Sequence, residues 1–297
     1  MIREKPEDFL TILKSYLPDP KKPIPVARRE FSDFYTEFQT DKLPAVEAVE
    51  MGNGVQGFWC TVPEVQEDYT VLFFHGGGFT VGSTGDHLGL IARIARATNA
   101  RVFSVDYRLA PEDLYPAATN DALMAYQYLV THGIPPHRII PVGISAGGTL
   151  VLELLLALRD QHQPMPPAAA CLSPVVDMQF STAVIPSHPD YDWITMARLE
   201  TIKTTYLTGH DLRDPSVSPL YASLSHLPPL YIQAGSAEFM FDDISALVKK
   251  AKWAGIQVRY EVWEGMFHCW QIFGEQVPEA KEAIDRLGAY VHDVFNR

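Results

Sequence analysis

Cysteine is scarce in this chain: three in 297 residues, Cys60, Cys171 and Cys269. The number is odd and no C-x-x-C pair occurs. That excludes a disulfide scaffold and a cysteine-rich zinc site, and it sets the expectation of a reducing, cytoplasmic setting. Positive charge is also short. Lys and Arg total 24 against 36 Asp and Glu, a formal net charge of −12. Such a surface repels phosphate backbones, so nucleic acid is not an expected partner. No uninterrupted apolar run approaches the ~18 residues of a membrane span, and the richest stretch, Leu150–Leu158, is broken by Glu153. No stable membrane anchor is therefore expected. The opening Met1-Ile2-Arg3-Glu4-Lys5 has charge but no apolar segment behind it, so a secretory signal is not expected either. There is no H-E-x-x-H, no metal-ligand cluster, no internal repeat and no low-complexity tract. The expectation is no metal and no cofactor.

What is present is globular. Apolar residues make up 47% of the chain, enough for a sizeable core without staples. Arg3–Leu17 and Ala27–Thr40 have helical spacing, with prolines at 18, 20, 23 and 25 between them. From about residue 55 the pattern becomes strand, loop, helix, repeated. Strands are expected at Val55–Val62, Tyr69–Phe74, Val102–Val105, Ile139–Val142, Ala168–Leu172, Leu230–Ala234 and Val258–Val262. Helices are expected at Asp86–Thr98, Pro116–Thr131, Ala146–Arg159, Asp242–Trp253 and Glu279–Phe295. Short continuous apolar runs such as YTVLFF at 69–74 suit strands buried on both faces. The alternation implies an α/β fold with a mostly parallel central sheet flanked by helices. Residues 181–222 break the rhythm and contain one expected helix, Thr195–Leu207. The chain divides into N-terminal cap helices at 1–45, a core at 46–180, a cap insertion at 181–222 and the rest of the core at 223–297. Ligands in such sheets bind beyond the carboxyl ends of the strands, so chemistry belongs just after each strand.

Four segments lie there. Gly143-Ile144-Ser145-Ala146-Gly147 falls between a strand and an apolar helix. A serine on so sharp a turn needs small neighbours two places away on each side, and the turn lifts its Oγ above the sheet. Ala146 then opens a helix with its N–H free for an anion. His75-Gly76-Gly77-Gly78-Phe79 follows the strand 69–74. Its glycines allow close approach, so Gly77, Gly78 and Ala146 are the candidate donors to a developing oxyanion. No G-K-[ST] follows, which excludes a P-loop. His75 reads as a structural residue holding this loop. His268 follows the last strand, and the order serine, acid, histidine makes it the candidate base. The acid should follow Leu230–Ala234. Glu238, Asp242 and Asp243 qualify, and Glu238 is favoured because the two aspartates stand where a helix starts. Asp106, Arg108 and Glu112 read as a charged cluster that fixes a loop. Tyr191 and Trp193 are candidates for a pocket wall or for lid core. Cys269 adjoins His268 but lacks an elbow of its own.

HGGGF at 75–79, Tyr107-Arg108-Leu109-Ala110-Pro111-Glu112, Pro116-Ala117-Ala118 with Asp121, GISAGG at 143–148 and GMFH at 265–268 together resemble the hormone-sensitive-lipase-like group of α/β-hydrolases. The likeness is to its bacterial esterases and runs from about residue 45 to the end. It implies an α/β-hydrolase fold with a small helical cap. It implies hydrolysis of short- to medium-chain carboxylic esters through an acyl-enzyme, with Ser145, Glu238 and His268 as the catalytic residues. It also implies Gly77, Gly78 and Ala146 as the oxyanion hole, Phe79 against the substrate, and a homodimer through the last strand near Val258 to Val262. Lactone, amide or acetyl-group hydrolysis would use the same residues, and a small-molecule receptor on this fold is the alternative outside catalysis. Two departures stand out: Ile144 where many members have Asp, and Glu238 where Asp is commoner.

Overall fold

The apolar runs become one twisted sheet. A computed structural model describes residues 9–11, 13, 14, 22–39, 42–65, 69–180 and 192–296. Among these, eight strands form a single sheet: β1 (Ala45–Gly52), β2 (Val55–Thr61), β3 (Thr70–Phe74), β4 (Arg101–Asp106), β5 (Ile139–Ile144), β6 (Ala169–Leu172), β7 (Leu230–Gly235) and β8 (Val258–Trp263). Their order is β1-β2-β4-β3-β5-β6-β7-β8. β1–β2 and β2–β4 pair antiparallel, and every later pair is parallel. The helices are α1 (Ile24–Phe38), α2 (Leu88–Thr98), α3 (Ala117–Thr131), α4 (Ala146–Asp160), α5 (Met196–Thr205), α6 (Phe241–Trp253) and α7 (Pro278–Phe295). None among the described residues is long and apolar enough to cross a membrane.

The period of two along each strand sorts the core into two layers. Leu72 and Phe74 of β3 face Phe103, Leu150 and Ile244, on the side of α3, α4 and α6. Val71 and Phe73 face Leu90, Ile91, Ile284 and Leu287, on the side of α2 and α7. Parallel strands need helical crossovers, so both faces are covered and β3 is buried at all five residues. The α2–α7 layer continues into the N-terminal segment. Residues 9–11, 13 and 14 are helical, within the expected helix at 3–17. Phe9 meets Phe38 of α1 and Phe273 edge-on, with ring centroids 5.4 and 5.1 Å apart.

The strand β1 is the element that the sequence pattern did not announce. Its residues AVEAVEMG carry two glutamates, and six of the eight positions are exposed. A sheet-edge strand with one wet face has little apolar signature, and its pairing with β2 is what makes it a strand. Elsewhere the bounds shift by one to three residues, the most at α1, which starts at Ile24 and not at Ala27. One change is local: the start of the expected helix 86–98 is a 3-10 turn, Gly85–His87, before α2 begins.

Candidate active site

Ser145 sits between β5 and α4 with φ +54 and ψ −122. That conformation is costly for a residue with a Cβ and persists because its neighbours leave no alternative. A side chain at Gly143 would collide with the Gly147 carbonyl, and one at Gly147 with the Phe74 carbonyl. Strand, turn and helix therefore pack backbone to backbone, and Oγ stands above the carboxyl edge of the sheet. His268 Nε2 lies 2.9 Å from Ser145 Oγ. His268 Nδ1 lies 3.1 Å from Glu238 Oε2. All three side chains are buried.

Glu238 is held in turn. Its Oε1 accepts the Gly235 N–H at 2.6 Å and the Ser173 hydroxyl at 2.7 Å, leaving Oε2 for the imidazole. Asp242 and Asp243 stand in the first turn of α6, where they complement the helix dipole. The carboxylate against His268 is thus the glutamate. Burial opposes a proton on His268, while Cys269 and the Glu238 carboxylate favour one. The balance raises the imidazole above its ordinary pKa. Burial also pushes the Cys269 thiol up, against the pull of the neighbouring His268 imidazole.

The glycine loop closes the other side. Gly77 has φ +123 and Gly78 φ +59, a left-handed run that glycine enters without cost. The Gly77 carbonyl accepts the N–H groups of Thr80 and Val81, which fold the loop into a turn. Among the described residues no carbonyl or side chain takes up the N–H of Gly77 or Gly78. Ala146 is the first residue of α4, so its N–H has no carbonyl within the helix to bond. Two buried histidines support the loop. His75 donates from Nδ1 to the Gly76 carbonyl at 2.7 Å and stacks on Tyr107 at 4.1 Å. His87 accepts the Gly76 N–H at Nε2, 3.3 Å away, and donates from Nδ1 to the Ser83 carbonyl. Burial pushes both imidazoles down to about 4, so both are neutral supports.

A mainly apolar cavity of about 100 Å³ opens onto Ser145. Gly76, Gly77, Gly78, His268 and Cys269 form its floor. Its roof comes from two separate parts of the chain: Phe31 and Tyr35 of α1, and Trp193, Leu199 and Ile202 from the insertion and α5. Trp193 is thus both buried and a cavity wall. Tyr191 lies outside the described residues. Phe79 differs from its expected place. It is fully buried, stacked on Tyr206 at 4.2 Å, and is not among the residues lining this cavity. Its φ of +61 turns the ring under the loop and into the core.

The three charged residues expected to form one cluster act separately. Asp106 accepts the Thr84 N–H, Arg108 is bound to Asp121 at 2.7 Å, and Glu112 pairs with Arg28 of α1 at 2.6 Å. Arg28 also donates to the Thr80 and Ala110 carbonyls, fastening α1 to the glycine loop. Sequence reasoning missed His87, Ser173 and Asp192. Ser173 and Asp192 are lone polar residues in irregular chain and His87 stands in the short 3-10 turn before α2, and no spacing marks any of them. Burial raises Asp192 to about 6, opposed by His268 and by its backbone hydrogen bonds. Among the described residues no group of three or more His, Cys, Asp or Glu is placed to hold a metal ion.

A family described by the alpha/beta hydrolase fold matches residues 71–272. An acetyl-hydrolase of Streptomyces hygroscopicus is 39% identical over 230 residues, covering 77% of each chain. An esterase of Acinetobacter venetianus is 36% identical over 232 residues, covering 76% of each. The crystal structure of an esterase from the bacterial hormone-sensitive lipase family is 37% identical, covers 98% of this chain and 99% of its own, and superposes with a TM-score of 0.92. With the fold, the matched span and these likenesses together, the chain belongs to the hormone-sensitive-lipase-like esterases of the α/β-hydrolase fold.

Proposed function

We propose that this chain is a serine carboxylesterase in which Ser145 is the nucleophile, His268 the base and Glu238 the residue that orients it. The observation that carries this reading is the continuous row from Ser145 Oγ to His268 Nε2 at 2.9 Å and from His268 Nδ1 to Glu238 at 3.1 Å, beside a mainly apolar cavity. With Glu238 ionised, Nδ1 bears the proton and Nε2 offers its lone pair to the hydroxyl. Ser145 Oγ attacks the ester carbonyl carbon as its proton passes to Nε2. The carbonyl electron pair moves onto oxygen, facing the N–H groups of Gly77, Gly78 and Ala146. Collapse of that adduct breaks the bond to the alcohol oxygen, which takes the proton from His268. Water then repeats the sequence on the acyl-enzyme and frees the acid. Substrate is a small-molecule ester. The size of the cavity favours short acyl chains, with the N-terminal segment and the insertion at 181–222 acting as a cap.

The homodimer reading rests on β8. This edge strand leaves Val262 46% exposed, and Trp253, just ahead of it, is 88% exposed. The cytoplasmic reading rests on three cysteines that are all free and buried. The test of function is hydrolysis of p-nitrophenyl esters from acetate to palmitate, with Ser145→Ala beside the native chain. The expected result is activity highest at short chains and lost in the variant. Folded native protein inactive across the series would favour a small-molecule receptor, and activity surviving in the variant would remove Ser145 from its role.

A further inference from the structure

The backbone of His268 is held from outside the loops that carry the site. Its N–H donates to Asp192 Oδ1 at 3.0 Å, and its carbonyl accepts the Trp193 Nε1–H at 2.5 Å. The other oxygen of the same carboxylate, Oδ2, accepts the N–H of Phe239 at 2.9 Å, the residue directly after Glu238. Asp192 Oδ1 also accepts the Trp193 N–H at 2.8 Å, which sets the two side chains relative to each other. Both side chains are buried, Asp192 at 2% and Trp193 at 4% exposure. The next residue, Cys269, has φ +58, so the chain turns out of regular structure here and no ladder satisfies these backbone groups. Both polar groups of one peptide residue, and the loop of its hydrogen-bond partner, are thus bound by two adjacent side chains of the insertion.

We propose that Asp192 and Trp193 are positioning residues that set the His268 ring between Ser145 and Glu238, making the seating of the insertion a condition for proton transfer. The inference rests on the reading of Ser145, His268 and Glu238 given above. A carboxylate accepting backbone N–H groups makes charge-assisted bonds, stronger and shorter than neutral ones. By joining residues 239 and 268 through one rigid group, Asp192 fixes the separation of the two loops. The effect on rate is large because proton transfer depends steeply on geometry. A displacement of ~1 Å costs on the order of 100-fold. In this scheme the stretch from Asp192 does more than roof the cavity: a shift of Asp192 and Trp193 is transmitted directly to the base.

The experiment compares Asp192→Asn and Trp193→Phe with Leu199→Ala, which alters the cavity wall on α5 without touching His268. Asn keeps the size of Asp192 but points an N–H₂ either at the Phe239 N–H or at those of His268 and Trp193. Phe keeps the ring and removes the Nε1 donor. For each folded variant kcat and KM are measured on p-nitrophenyl butyrate. Beside them come the rate at which an organophosphate labels Ser145 and the downfield proton resonance of His268 Nδ1–H. The expected result for Asp192→Asn is a kcat lower by about 10- to 100-fold, KM within about threefold, proportionally slower labelling and a shifted or broadened downfield proton. Trp193→Phe should show the same pattern at about 3- to 10-fold. Leu199→Ala should move KM and leave the resonance in place. Native kcat, labelling rate and resonance in folded Asp192→Asn and Trp193→Phe would overturn the proposal, as would losses confined to KM. Should Asp192→Asn fail to fold, Trp193→Phe decides. Esterase activity retained in Ser145→Ala would instead refute the assignment of the nucleophile, so the two failures are distinguishable.

Discussion

The floor of the cavity and its roof are built on different terms. The floor is made where the chain leaves β3, β5, β7 and β8, and its turns pack backbone against backbone at the strand ends. A glycine on each side of Ser145 is demanded by carbonyls that a Cβ would strike, and the Gly77 turn is closed by its own carbonyl. The roof is made of α1 and the stretch from Asp192 to α5, and it is tied to the floor by side chains that reach far along the sequence. Arg28 reaches from α1 to Thr80, Ala110 and Glu112, and Asp192 reaches to residues 239 and 268. In the reading proposed here the reacting groups sit on the floor, while the roof adjusts to substrate and, through Asp192, seats the base. This division suits a fold on which function is set by the site and its pocket.

That contrast also explains what was legible beforehand. β3, β5 and α4 are apolar runs at the right period, and the segments at 75–79 and 143–148 follow strands, so their placement could be read from order and spacing. Glu238 could be preferred over Asp242 because a position four residues beyond the strand stays in the loop, whereas Asp242 begins a helix. β1 escaped because an exposed edge strand has no apolar signature. Phe79 was misplaced because adjacency to a glycine loop says nothing about which way a residue at φ +61 points. Asp192 escaped because its meaning lies in residues 47 and 76 positions away along the chain.

Changes to the floor should cost most. Glu238→Gln keeps the shape but removes the charge that orients His268 and favours its imidazolium. Turnover should fall by roughly 10⁴-fold. In the native chain activity should rise with pH as His268 loses its proton, with a midpoint above the ordinary imidazole value because its pKa is raised. Without the carboxylate one of the groups that favour a proton on His268 is gone, and the same limb should move to lower pH. A pH–rate profile of both proteins checks the sign. An unmoved limb would mean that another group titrates.

Next in size is the glycine loop. At Gly77 a side chain meets the Val81 carbonyl and φ is +123. Gly77→Ala should therefore displace the turn and lower kcat by about 10²- to 10³-fold, the cost of losing an oxyanion donor, with little change in KM. Steady-state kinetics at short acyl length reads this directly. Equal losses in kcat and affinity would make the loop a substrate wall instead.

The smallest effect is expected on the roof away from His268. Arg28→Ala removes a partly exposed ion pair with Glu112 and two bonds to loop carbonyls. It should slow turnover no more than about fivefold, in line with the ~1 kcal/mol ceiling of such pairs. A loss comparable to that of Gly77→Ala would show that α1 is as much a part of the catalytic geometry as the strand ends, and the contrast between floor and roof would fail.

The most direct test of the whole reading is labelling by an organophosphate, followed by mass mapping of the modified peptide. One phosphonyl group per chain on Ser145, with esterase activity falling in parallel, is the predicted result. Label on another residue, or activity that survives complete labelling of Ser145, would contradict it.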